Sequence, residues 1–236
     1  MTHQYGEDYF LKNMQQGDRP ALRWYAKVCC RLLGRNGCDI LDYGCGTGWL
    51  MHYLLKYHKV IGYDSSAYCR AAACETAPGA IICDDIAALR KNSFDLITAL
   101  HVLEHVSNPG DLIAMLVTLL KKGGYILLVV PALNGIGHRL KGKDWFAYRD
   151  PSHTSLLRED EWISLVNHAG LDATIIAGDG LWDPPYIRWI PRWLQFPIFG
   201  MLAGIQTYFG GGRLFIPSQW GECLIVAARK NVEVEI

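Results

Sequence analysis

The chain has 236 residues, enough for one domain with a full apolar core. Lys plus Arg and Asp plus Glu both number 23, a formal net charge of zero, so no basic excess points to a nucleic-acid partner. The eight cysteines form no C-x-x-C pair and no Cys–His spacing of a zinc site, which predicts buried free thiols in a reducing cytosol and no metal.

The first residues, MTHQYGEDYF, lack the basic, apolar, small-residue order of a signal peptide, so a cytoplasmic protein is expected. Residues 1–37 predict two helices ahead of the first strand. The second starts at Asp18-Arg19-Pro20, with proline at a tolerated early position. Leu22, Tyr25, Ala26, Cys29, Leu32 and Leu33 then recur at helical spacing.

Ile40 to Leu50, ILDYGCGTGWL, predicts a strand ending near Asp42, a loop with Gly44, Gly46 and Gly48, and a helix over Trp49–Tyr57. Glycine permits positive φ and close ligand approach. The helix behind it points free N–H groups at that ligand. The loop therefore suits a nucleoside-like cofactor held against main chain. The dinucleotide fingerprint is G-x-G-x-x-G. Here the third glycine arrives one residue early and Asp42 precedes the loop, which disfavours a nicotinamide cofactor.

A second strand, Lys59–Asp64, ends in a carboxylate about 20 residues after Gly44, where both ribose hydroxyls can be accepted. A helix over Ala67–Thr76 leads to a third strand, Ala80–Ile86, and a short helix to a fourth, Ser93–Leu100. The fourth runs into His101-Val102-Leu103-Glu104-His105. A helix over Pro109–Leu120 and a strand over Lys122–Pro131 follow. Such alternation builds a parallel sheet with helices on both faces. Ligands bind outside the carboxyl ends of its strands. Asp42–Gly48, Asp64, Asp85 and Leu100–His105 all fall at those ends, so one crevice is expected.

This series resembles the class I S-adenosylmethionine-dependent methyltransferases of the small-molecule branch. The D-x-G-C-G-T-G run at Asp42–Gly48, the F-D-L-I string at Phe94–Ile97 and V-L-E-H-V at Val102–Val106 carry the resemblance. It covers Tyr5 to Lys230 apart from Leu181–Gln219. It implies a Rossmann-like α/β class I methyltransferase fold: a seven-stranded, mostly parallel sheet, helices on both faces and an antiparallel last strand. S-adenosylmethionine is the implied cofactor. Its implied contacts in the loop are Asp42, Gly44, Cys45, Gly46, Thr47 and Gly48. Asp64 and Ser65 follow the second strand, and Leu100, His101 and His105 the fourth. After the third strand, Asp85 is implied to bind the adenine amino group and Ile86 to offer its N–H to the ring. Tyr5 belongs to a segment that forms part of a lid over the cofactor in several bacterial members.

Beyond Pro131 the pattern changes. A long connection, Ala132–Leu157, precedes a helix over Arg158–His168 and strands over Leu171–Gly178 and Gly221–Lys230. Residues 1–37 are thus expected to form N-terminal helices with a lid, and 38–236 the methyltransferase domain with an apolar insertion at 181–219. That insertion is rich in aromatics and prolines, and no charge separates Arg192 from Arg213. Its prolines, glycines, Gln195 and Gln206 argue against a membrane-spanning helix. Three uses stay open: a cap on the sheet edge, a homodimer interface, or an acceptor pocket with peripheral membrane or lipid contact. In the last, Trp189, Trp193, Arg188 and Arg192 stand at the water boundary.

The expected chemistry is methyl transfer to a small-molecule acceptor at oxygen: a sugar, a lipid-linked precursor or a partly apolar metabolite. A hydroxyl acceptor needs a base to take its proton. His101, His105 and His153 are the candidates. His101 and His105 are expected one helical turn apart on a shared face, with Glu104 nearby. His153 lies in Asp150-Pro-Ser-His153, which resembles a string in methyltransferases of sugars and cell-surface precursors. Arg139, Lys141, Lys143 and Arg149 are candidates to hold an acceptor phosphate or carboxylate. The alternatives are a cofactor-binding methyltransferase-like protein without turnover and a nicotinamide-dependent oxidoreductase.

Overall fold

The structure is a computed structural model in which residues 17–232 are described. The first predicted helix and the lid around Tyr5 lie outside them. The elements run α1 (Pro20–Leu33), β1 (Asp39–Tyr43), α2 (Trp49–Leu54), β2 (Lys59–Tyr63), α3 (Ala67–Thr76) and β3 (Ile81–Cys83). Then come β4 (Phe94–Leu100), α4 (Pro109–Leu119), β5 (Leu120–Pro131), α5 (Ile136–Lys141), α6 (Glu159–His168), β6 (Leu171–Gly178), α7 (Arg192–Phe199), α8 (Met201–Gly204) and β7 (Cys223–Lys230).

The strands form one seven-stranded sheet in the order β3-β2-β1-β4-β5-β7-β6. β7 pairs antiparallel with both β5 and β6, while the β1, β2, β3, β4 and β5 pairings are parallel. Adjacent apolar residues feed opposite faces, as the period of two requires. Leu41, Ile97, Leu128 and Val130 pack with Ile113 and Leu116 of α4 and Trp162 and Val166 of α6. Ile40, Leu96, Leu127 and Val129 pack with Trp24, Val28 and Cys29 of α1 and Leu50, Met51 and Leu54 of α2. Strand order reverses between β1 and β4, and the crevice opens there, at the strands' carboxyl ends.

One expectation fails locally. The fourth strand is not followed by a helix through His101 and His105. His101 takes a left-handed conformation at φ 57°, and only Leu103–His105 forms a 3-10 turn. The helix start read at Asp18-Arg19-Pro20 is found there, with α1 beginning at Pro20. The capping position is Arg19, and the Asp18 carboxylate pairs with Arg23.

A cavity at the carboxyl ends of the strands

A cavity of about 730 Å³ opens at the switch point. Its floor is the glycine loop. Gly44 sits at φ 76°, and a Cβ there would stand 2.3 Å from Cγ2 of Val102. Gly48 sits at φ 87°, and its Cβ would meet Ala73 Cα at 2.9 Å. Glycine is therefore required at both positions for conformation and for space. The loop is tied to β2 by the Gly44 and Cys45 N–H groups, which donate to Tyr63 O at 2.7 and 2.9 Å.

Asp64 follows β2 and is almost wholly buried. Its Oδ2 accepts from Gly46 N and its Oδ1 from Ser66 N, both at 2.9 Å. Each oxygen keeps a further lone-pair site for a ligand hydroxyl. Asp42 is buried at the end of β1, and Thr98 Oγ1 donates to its Oδ1 at 2.7 Å. Burial, with Asp64 adding a like charge, pushes Asp42 up to about 7.

The structure brings the expected residues Asp42, Gly44, Cys45, Gly46, Thr47, Asp64, Ser65, Leu100, His101 and His105 around this cavity. Gly48, Asp85, Ile86 and His153 are not on its wall. Gly48 shapes the loop from behind. Asp85 spends one oxygen capping the short Ile86–Ala88 turn, accepting from Ala87 N at 2.8 Å.

The histidines separate into distinct settings. His101 Nδ1 lies 3.3 Å from Oε1 of Glu104, which is 1% exposed and whose Oε2 has no partner. Toward a carboxylate, which accepts only, Nδ1 is the donor in this contact, and in a neutral ring the lone pair then sits on Nε2. His105 Nδ1 stands 2.9 Å from Ser152 Oγ, and that hydroxyl donates to Asp150. Burial lowers the His105 pKa, holding the ring neutral. His153 packs its ring 4.7 Å from that of His105 and bonds Ala147 O at 2.7 Å through Nδ1. Cysteine spacing missed one grouping: ligand atoms of Glu104, His105 and His153 lie within 4.8 Å of one another.

Two cavity residues escaped the sequence analysis. Arg19 lines the wall with its Nε buried and unpartnered, and burial lowers its pKa. The signal was present in Asp18-Arg19-Pro20, but it read as a helix start. Asp179 is the first residue after β6, buried, accepting from Cys223 N at 2.8 Å and from the Trp182 indole. An acid at a strand's carboxyl end, in Gly178-Asp179-Gly180, was the missed signal.

The insertion closes the cavity's upper side through Trp182, Phe196, Gly200, Ala203, Gly204, Thr207 and Tyr208. Trp193 does not line it and is 73% exposed. The four-cation anion clamp does not assemble either. Lys141 and Arg149 both bind Asp183, and Arg139 and Lys143 are exposed and off the cavity wall. The carboxylate at 183 neutralises what a phosphate would need.

Buried carboxyls give the fold a pH dependence. Burial pushes Glu222 up to about 7 and Asp179 up to about 6, beside Asp42 at about 7. A carboxyl with a raised folded pKa binds its proton more tightly folded than unfolded. Its contribution is complete below about pH 4 and is lost as pH rises through the folded value. Burial raises Asp64 as well, while His58 and His105, both lowered by burial, act in the opposite sense, two groups against four. The cofactor-free melting temperature is therefore expected to fall between about pH 5 and pH 7.5. A calorimetric series showing a rise over that interval would contradict the assignment.

Chemically, the cavity offers a backbone cradle, a carboxylate for vicinal hydroxyls, buried acids for a cationic centre and an unpaired guanidinium for a carboxylate. Those are the groups of S-adenosylmethionine, and the residues present fit it. The sequence model of a methyltransferase-domain family matches residues 14–174. A ubiquinone biosynthesis O-methyltransferase of Burkholderia orbicola is 34% identical over 99 residues, covering 38% of this chain and 43% of that one. The chain thus matches less than half of that relative's length. Its counterpart in Chromobacterium violaceum is 27% identical over 159 residues, covering 61% and 68%. Among solved structures, a Thermotoga maritima S-adenosylmethionine-dependent methyltransferase superposes with a TM-score of 0.67 at 15% identity, covering 98% and 100% of the two chains. The plantazolicin methyltransferase, solved with a desmethyl analogue and S-adenosylhomocysteine, gives 0.60 at 19% identity over 90% and 84%. These structural likenesses establish the fold, and the family match removes the nicotinamide reading. The chain belongs to the methyltransferase-domain family.

Proposed function

We propose that the enzyme methylates a hydroxyl oxygen of a small, partly apolar molecule. The observation that carries this reading is the pairing of His101 with buried Glu104 in a cavity whose opposite wall is the apolar insertion. The relatives named as O-methyltransferases support it. S-adenosylmethionine supplies, when bound, an electrophilic methyl and a neutral thioether leaving group. The chain's own work is to align the acceptor, exclude water and take a proton. In this reading Glu104 holds His101 Nδ1–H, and Nε2 takes the hydroxyl proton as the O–CH₃ bond forms. His105 forms part of the wall, with the His153 ring packed against it from outside the cavity.

Phe196 and Tyr208 are placed to receive the acceptor's apolar part. A screen with labelled methyl across hydroxyl acceptors of rising chain length tests this. Specificity, kcat/KM, is expected to rise with length, by up to about 0.8 kcal/mol per buried CH₂. Phe196→Ser should raise KM for long acceptors, whereas Trp193→Ser, off the cavity wall, should not. A screen in which no hydroxyl accepts methyl, or length has no effect, ends the proposal.

Arg19 is assigned to the carboxylate of the cofactor's methionine part. Arg19→Met should weaken S-adenosylmethionine by roughly 1.5–3 kcal/mol, the range of bonds to charged groups. The same change should hold or raise the cofactor-free melting temperature, because it removes a half-buried cation whose Nε has no hydrogen-bond partner among the described residues. Calorimetric titration that finds wild-type affinity would move the carboxylate elsewhere.

A displacement on a sulfonium needs no Lewis acid, so chelation should leave turnover unchanged. Loss of methyl transfer in EDTA, restored by one divalent ion, would place a metal on Glu104, His105 and His153.

A further inference from the structure

We propose that the outer face of the insertion docks on an anionic lipid bilayer and delivers the acceptor's apolar part directly into the cavity. The proposal rests on the apolar-acceptor reading above and names where that acceptor is met.

The insertion is built with inverted polarity. On α7 the buried side chain is Gln195, 0% exposed, while Trp193, Phe196 and Ile198 are 73%, 57% and 63% exposed. In the next turns Gln206 is 0% exposed and Phe209 is 83% exposed. The two glutamines serve as internal braces. Gln195 Oε1 accepts from Tyr186 N and Ile187 N, and its Nε2 donates to Ile187 O and Ile190 O. Gln206 Oε1 accepts from Phe215 N and Ile216 N, and its Nε2 donates to Gly178 O. The two glutamines thus brace the interior beside Tyr186 and Ile216, while Trp193, Phe196, Ile198 and Phe209 face outward. A contiguous exposed apolar patch of this kind marks a surface that meets something apolar. Among the described residues no helix is long and apolar enough to cross a membrane, so the contact is with a surface.

Charge selects the occupant. Residues 181–219 carry Arg188, Arg192 and Arg213 against a single acid, Asp183. Arg188 reaches Asp144 and Arg192 stands 3.8 Å from Asp183, while Arg213 has no ion-pair partner among the described residues. A two-fold contact with a second copy would set this arginine-bearing patch against itself. Anionic headgroups complement it, and tryptophan with arginine is the composition of a membrane–water boundary. The patch is also continuous with the cavity. Phe196 and Tyr208 line the cavity and are 57% and 63% exposed. An apolar chain seated on Phe196 and Tyr208 is thereby at the cavity that His101 also lines.

The test is co-sedimentation of the full chain with phosphatidylcholine vesicles and with phosphatidylcholine–phosphatidylglycerol vesicles, without acceptor. Binding is expected to the mixed vesicles and to weaken in high salt. Trp189→Asp with Phe209→Asp, two exposed residues off the cavity wall, should reduce vesicle affinity roughly tenfold or more. Melting temperature and turnover of a soluble short-chain acceptor should hold. Arg188→Glu with Arg213→Glu should abolish the preference for anionic over neutral vesicles. The proposal is overturned if wild type does not sediment with anionic vesicles, or if the aspartate variant binds as wild type does. It is equally overturned if the chain is a dimer in solution that the aspartate variant splits. Failure of the O-methylation reading shows separately, as absence of methyl transfer to any hydroxyl acceptor, which vesicle binding does not measure.

Discussion

Replacing His101 with asparagine is expected to lower kcat by roughly 10²–10⁴-fold, the usual contribution of a positioned general base. Asparagine is the clean substitution for two reasons. It tolerates the left-handed conformation that His101 adopts at φ 57°, so backbone strain does not enter. Its amide donates and accepts hydrogen bonds but takes up no proton. The loss should fall on kcat with little change in S-adenosylmethionine affinity. Glu104→Gln should lower kcat less, because its amide oxygen can still accept from Nδ1–H while the charge that favours the protonated ring is gone. His105→Asn should also cost less, since that ring is committed to Ser152 and kept neutral by burial. If His101→Asn turns over at near the wild-type rate and His105→Asn does not, the base is His105.

Asp64→Ala is expected to weaken S-adenosylmethionine binding by roughly 1.5–3 kcal/mol, the range of hydrogen bonds made to a charged group. The structure adds a second consequence. The same carboxylate holds Gly46 N in the glycine loop and Ser66 N at the start of α3. Its removal unpins both, so the cofactor-free melting temperature should also fall. Asp64→Asn separates the two effects: its amide oxygen can still accept from one backbone N–H, while the charge facing the ribose is gone. A dissociation constant unchanged in both variants would remove Asp64 from the site.

The cofactor half of the site was legible because its geometry is set locally. A strand, a glycine turn and a helix start are adjacent in sequence, and Asp42, Gly44, Gly46 and Gly48 follow from that adjacency. Asp64 follows from the rule that strand ends converge at the switch point. The α3 and β6 limits coincide with their expected spans, Ala67–Thr76 and Leu171–Gly178, because Ser66 caps the one and glycines bound the other. What was not legible depends on tertiary packing. Val102 presses on the glycine loop and the chain turns at His101, so the spacing of His101 and His105 misled as a helical signal. Asp183 is 42 residues from Lys141, and no local pattern announces that it consumes the cations expected to clamp an anion. The inverted polarity of the insertion is the sharpest case. Gln195 and Gln206 counted only as marks against a spanning helix, yet they turned out to be the braces of the cap.

The place where the chain leaves the sheet has an evolutionary corollary. β6 ends at Gly178 and β7 begins at Cys223, and Gly178 pairs directly with Leu224. The whole cap is therefore an excursion between two neighbouring, hydrogen-bonded strand ends. Lengthening such an excursion is thermodynamically cheap, roughly 0.6 kcal/mol for each doubling. The family match stops at residue 174, before the excursion begins. The stretch can thus be lengthened or exchanged without redrawing the strand ends that hold the nucleotide. A chimaera carrying another member's excursion between Gly178 and Cys223 should keep this enzyme's cofactor and acquire the donor's taste in acceptors.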